Sequence, residues 1–218
     1  MLRRYFTEEE QRRLLKKVGA LRDIQARRDD AWIRCLIHTG MRIGEFSRLT
    51  VGDAMEALRT DYLFIPREHR KGKKRDHMVR VTQPVRDALG DLLKVRREMG
   101  YADKADAPLV LSRNHQSMTV RGYQLRFKHW ALESSLPEDA SPHWLRHTRA
   151  MNIMAHTTSN DPRGIVQAAL GHTTIASTGI YTGVSREELE RSLDEVDGQG
   201  RMTVAKQRRR YEERRAGA

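Results

Sequence analysis

Arg42, His143, Arg146, His172 and Tyr181 are residues of the types that can hold and attack a phosphodiester. Arginine offers a planar fork that matches two phosphate oxygens and stays charged at any physiological pH. Flanking histidines can add to that grip. Tyrosine, with an ordinary pKa of about 10, is a weak nucleophile until a base takes its proton and cations stabilise the phenolate. Phosphoryl transfer also needs the charge on the non-bridging oxygens neutralised and a proton delivered to the leaving oxygen. Arginines suit the first task and a lysine the second.

These residues fall near the ends of expected elements, where side chains can converge. Arg42 follows the helix-breaking pair Thr39-Gly40. Arg146 falls in the first turn or so of a helix opened by Ser141-Pro142, an end that favours anions. His172 follows Gly171, the expected terminator of a helix begun at Asp161-Pro162. Other helices are predicted from the capping pair Thr7 and Glu10, from about Asp29 to His38, around Ile43, Phe46 and Leu49, from Pro84 to Gly100, and from Thr119 to Glu133. Ser185 and Glu188 mark one more, running to about Val196, and the polar, basic tail after Gly198 is expected to be loosely ordered. Tyr62-Leu63-Phe64-Ile65 and Met78-Val79-Arg80-Val81 read as two strands joined by the basic segment 67–75, a hairpin with a positive tip. The predicted fold is mainly α with a small antiparallel β-sheet.

Composition narrows the partners. Forty-one Lys and Arg against 29 Asp and Glu leave a net charge of +12, which favours a polyanion. No apolar run reaches the length of a membrane span, and the N-terminus is too polar for a signal peptide. The single cysteine, Cys35, sits in an apolar stretch and reads as a core thiol. A cytoplasmic, nucleoid-associated location is expected, with no membrane contact.

Four motifs in order carry a resemblance to the tyrosine recombinase, or phage integrase, family. They are Thr39-Gly40-x-Arg42-x-x-Glu45, then His143-x-Leu145-Arg146-His147, then Leu170-Gly171-His172, and then Tyr181, nine positions after that histidine. The resemblance spans nearly the whole chain, and the combination is far more specific than any one motif. It implies that Arg42 and Arg146 bind the scissile phosphate, that His172 donates a hydrogen bond to it, and that His143 accepts the Tyr181 proton. Tyr181 would attack to leave a 3′-phosphotyrosyl bond and a free 5′-hydroxyl. A hairpin lysine would protonate the leaving oxygen; Lys71 best matches the family position, with Lys73 and Lys74 as rivals. Glu45 and His147 resemble supporting residues. A catalytic domain over residues 1–198 with a basic tail at 199–218 follows, resembling short members of the family. The implied partners are double-stranded DNA at specific sites, further copies of the chain on that DNA, and an accessory DNA-binding protein if the clamping domain of longer relatives is supplied in trans. Neither cofactor nor metal is implied. A competing reading is a regulator that binds DNA on the same fold without cutting it.

Several residues are weighed separately. His143 and His147 are four apart and could face one metal ion, but no third ligand is evident nearby. His38, His69, His77, His115, His129 and His156 fit no motif. Lys73, Lys74 and Arg75 are expected on the DNA backbone, and Arg121, Gln124 and Arg126 of the helix from Thr119 are candidates for groove contact. From Arg201 to Ala218 there are seven Lys or Arg and two Glu. If the hairpin and this tail grip DNA backbone, non-specific affinity falls steeply with salt through counterion release. Binding isotherms at several salt concentrations test this: deleting residues 201–218 should weaken binding and flatten the salt slope, and a deletion that changes neither removes the idea.

Overall fold

The computed structural model describes residues 5–171. Among them are eight α-helices and one two-stranded sheet: α1 (Glu8–Gly19), α2 (Ile24–Thr39), α3 (Ile43–Phe46), α4 (Val51–Thr60), β1 (Tyr62–Ile65), β2 (His77–Arg80), α5 (Gln83–Glu98), α6 (Val120–Glu133), α7 (Pro142–His156) and α8 (Pro162–Leu170). The mainly helical architecture with one hairpin matches the expectation. No helix among the described residues is long and apolar enough to cross a membrane.

Helix α2 lies at the centre. It packs on α1, α5 and α7, and its apolar residues Trp32, Ile33, Cys35 and Leu36 are fully buried. It is longer than its sequence signals suggested, because Asp23 rather than Asp29 caps it: the Asp23 carboxylate accepts from the Gln25 and Ala26 amides. Asp29 lies inside the helix and has another task. Its buried carboxylate accepts from Arg28 Nη2 (2.8 Å), Trp32 Nε1 (3.0 Å), Arg126 Nε (2.6 Å) and Trp130 Nε1 (2.9 Å), which fastens α2 to α6. Around it stand the aromatic rings of Trp32, Tyr123, Phe127 and Phe6.

Helix α4 was not foreseen. Thr50 caps it with Asp53 as the reciprocal partner, and only Val51, Ala54 and Ala57 face inward. Small alanines and a Gly52 in the first turn give a weak apolar signal, so the element is legible only from its cap. The hairpin is antiparallel, with Tyr62 opposite Arg80 and Ile65 opposite His77. Leu63 and Ile65 are buried while Tyr62 and Phe64 face outward, the alternation of a half-covered sheet. A single 3₁₀ turn (Arg67–His69) leads into the connection, and the chain reverses at Arg70–Lys73 with Gly72 at φ +85°. The apolar run at 109–111 forms no regular strand: the Leu109 amide donates to the Leu49 carbonyl (2.9 Å), the Val110 carbonyl accepts from the Met118 amide (3.1 Å), and Leu111 bridges Ser117.

Two apolar clusters result. The large one joins α1 to α7 and the hairpin. A small one, of Ala150, Ile153, Val166 and Leu170, lies between α7 and α8. Replacing Asp29 with Ala leaves the guanidinium of Arg28 and two indole N–H groups buried without their acceptor. Urea unfolding should show a loss of about 3–5 kcal/mol, the usual cost of breaking a buried ion pair; a loss under about 1 kcal/mol would mean the carboxylate does not hold the core together.

Candidate active site

The Thr39-Gly40-x-Arg42-x-x-Glu45 motif is where α2 stops and α3 starts. The Thr39 hydroxyl donates to the Cys35 carbonyl (2.7 Å) and accepts from the Met41 amide (3.3 Å). Gly40 ends the helix with φ +66°, and a Cβ there would come within 2.3 Å of the Leu170 side chain. Only glycine satisfies both the left-handed turn and the close approach of α8. Arg42 then takes an extended conformation as the N-cap of α3. The buried carboxylate of Glu45 accepts from the Arg42 amide (3.0 Å) and from its Nη1 (2.9 Å). Glu45 thus sets the direction of the Arg42 side chain, which remains partly exposed.

Arg146 lies just past the first turn of α7, which opens at Ser141-Pro142 as expected, and is buried. Its Nη1 donates to the Gly40 carbonyl (2.7 Å) and its Nη2 to the Leu170 carbonyl (2.9 Å). One guanidinium therefore joins the C-terminal ends of α2 and α8, both of which carry unsatisfied carbonyls and a negative dipole end. His143 lies one turn earlier on α7, with its ring edge-on to His147 at 4.5 Å. Burial, followed by the charges of Arg146, Arg42 and Lys71, pushes its pKa below the usual 6.5. An imidazole that is neutral at pH 7 is in the form a general base needs.

Lys71 lies exposed in the hairpin connection, and its charge reaches His143. Arg42, Lys71, His143 and Arg146 thus interact electrostatically although they come from three separate segments, the start of α3, the hairpin connection and α7. His172 and Tyr181 lie outside the described residues. Among the described residues no group of three or more His, Cys, Asp or Glu could hold a metal ion. Lys73, Lys74, Arg75, Arg121 and Gln124 are exposed. Arg126 differs: its Nε is bonded to Asp29 and its guanidinium lies over the Trp130 ring at 5.4 Å, so the core engages it.

Sequence reading missed two residues here. Arg70 is buried within the hairpin connection and donates to the carbonyls of Arg75 (2.8 Å), Asp76 (3.3 Å) and Gly171. His77 bonds through Nε2 to the Ala169 carbonyl (3.2 Å), with its pKa lowered first by burial and then by Arg70. Gly171 ends α8 with φ +60°, and a Cβ there would lie 2.5 Å from Arg70 Nη2 and 2.7 Å from His77 Nδ1. In sequence Arg70 is one of many cations in a basic run, and nothing in that run marks the one that turns inward.

Comparison with known proteins places the chain in a family. The phage integrase family model matches residues 4–188. The tyrosine recombinase XerC of Shewanella amazonensis is 33% identical over 175 residues, covering 78% of this chain and 53% of that protein. XerD of Haemophilus influenzae is 30% identical over 191 residues, covering 87% of this chain and 61% of that protein. The chain therefore spans little more than half the length of these relatives. Among solved structures, XerA recombinase superposes with a TM-score of 0.70 at 23% identity, over 93% of this chain and 68% of that one. XerH recombinase bound to its difH substrate before cleavage gives 0.63 at 21% identity, over 88% and 54%. With its motifs in order, its helical fold around one hairpin and a family match over most of its length, the chain belongs to the phage integrase family.

Proposed function

We propose that the chain is the catalytic domain of a site-specific tyrosine recombinase, which cuts and rejoins double-stranded DNA through a 3′-phosphotyrosyl intermediate. The observation that carries this reading is the bond from Arg146 to the Gly40 carbonyl, which brings the Arg42 segment beside α7 and His143, whose pKa is lowered by burial and then by the charges of Arg146, Arg42 and Lys71. The arginines would neutralise the non-bridging oxygens of the scissile phosphate, with His172 donating a further hydrogen bond. His143 would take the phenol proton as Tyr181 Oη forms its bond to phosphorus. The bond from phosphorus to the 5′ oxygen breaks, its electron pair goes to that oxygen, and Lys71 supplies the proton. Rejoining is the same sequence reversed, with a 5′-hydroxyl of another strand as nucleophile, so the bond energy is kept and no nucleotide is consumed.

Residues 1–198 would form this domain and 199–218 a basic tail. Lys73, Lys74 and Arg75 would touch the DNA backbone beside Lys71, and the exposed Arg121 and Gln124 of α6 are the candidates for groove contact. Several copies would assemble on the DNA, with an accessory DNA-binding protein as a further partner. The relatives named recombinases, and XerH bound to its own DNA substrate, support DNA as the partner of this chain too.

A nicked suicide substrate run on a denaturing gel tests the chemistry. A covalent adduct should form, survive EDTA and vanish in Tyr181→Phe; binding without any adduct points instead to a regulator. Arg42→Ala should slow adduct formation by at least about 10²–10³-fold, as does loss of one donor to a developing oxyanion. The imidazole of His143 can be followed by NMR in the free protein. Its midpoint should lie below 6.5, so that it is neutral at pH 7 and becomes protonated only on acidification past that value. Arg42→Ala removes one of the cations that disfavour its charged form and should move the midpoint up. A midpoint above 6.5, or one indifferent to Arg42, would contradict the electrostatic description of the site.

A further inference from the structure

The residue before Lys71 has a geometry that no surface turn requires. Arg70 is 7% exposed in a connection whose other cations, Lys71, Lys73, Lys74 and Arg75, all face solvent. Its guanidinium crosses the loop to the Arg75 and Asp76 carbonyls on the far side. It reaches the Gly171 carbonyl at the end of α8, and its Nε lies 3.8 Å from the Glu45 carboxylate that directs Arg42. That Nε has no hydrogen-bond partner among the described residues. A buried arginine is costly to desolvate, so a loop that needed only to close would be served as well by backbone bonds. The connection is also closed without Arg70, by a bond from the Arg67 amide to the Asp76 side-chain carboxylate (2.8 Å). His77 makes a second tie from the hairpin to α8 at Ala169.

The geometry points to Arg70 as a positioning residue: by fixing the hairpin to the end of α8 and to Glu45, it sets Lys71 where it can protonate the departing 5′ oxygen. The inference rests on the proposed role of Lys71. A lysine in a turn has a long, flexible side chain and loses much rotamer freedom on aiming at one atom. Fixing the adjacent backbone removes part of that cost beforehand. The anchor at Gly171 also precedes His172 directly, so one guanidinium relates the proton donor to the segment that follows α8.

Cleavage of two suicide substrates separates aim from fold. One has the ordinary 5′ oxygen at the scissile phosphate and the other a bridging sulfur. An alkyl thiol has a pKa near 8.5, as in cysteine, so sulfur departs as thiolate and needs no proton donor. Arg70→Ala should slow the oxygen substrate by about 10²-fold and leave the sulfur substrate nearly unchanged. Arg70→Lys, which keeps the charge but not the fork, should fall between, and it carries the same comparison if Arg70→Ala fails to fold. Lys71→Ala is the reference and should show the same rescue by sulfur. If Lys71→Ala is rescued while the Arg70 variants are slowed equally on both substrates, or on neither, Arg70 does not position the proton donor. If Lys71→Ala is itself slowed equally on both, the proposed role of Lys71 fails and the inference with it.

Discussion

A guanidinium sits where two helices end. Helices leave their last carbonyls without intrahelical partners, and burying such ends together without a donor would be unfavourable. Arg146 resolves this by donating to Gly40 at the end of α2 and to Leu170 at the end of α8. The same contact brings the Arg42 segment, which begins two residues after Gly40, beside α7 and its His143. Gly40 must be glycine for this to work, since any Cβ would strike Leu170. The proposed catalytic geometry therefore depends on a fold-level necessity, the closing of two helix termini by one charged side chain.

The other members of the site are held by the same economy of donors and acceptors. Glu45 directs Arg42, and Arg70 approaches Glu45 from the hairpin. A cluster of cations at neutral pH repels itself, and one buried carboxylate offsets part of that repulsion. His143, half-buried, has its pKa lowered first by that burial and then by what remains of the repulsion. Groups held in this way before any ligand arrives need little reorganisation when negative charge develops between them, which is the condition under which electrostatic stabilisation is most effective.

Much of this was legible in the residues. The order of the four motifs identified the family, and the capping pair Thr7 and Glu10, Pro84, Pro142 and the apolar run Tyr62-Leu63-Phe64-Ile65 each placed an element correctly. What failed was position in depth. Asp29 read as lying near the start of α2, yet it is inside the helix as the buried acceptor that joins α2 to α6. Arg126 read as a groove residue because it lies on a basic helix, yet its partner is that same carboxylate. Arg70 was one cation among many. Composition along a segment reports which residues are charged; which of them turns inward is decided by a partner distant in the chain.

The division of the apolar interior into a large cluster and a small one has a dynamic consequence. Helix α8 buries little beyond Val166 and Leu170 against α7, so its attachment relies on polar ties from Arg146, Arg70 and His77. Elements held chiefly by hydrogen bonds at their rims are the first to detach below the global unfolding threshold. Among the described residues, local opening of the nine-residue α8 is therefore expected to cost less than unfolding the large cluster that joins α1 to α7, by an amount that those three ties set.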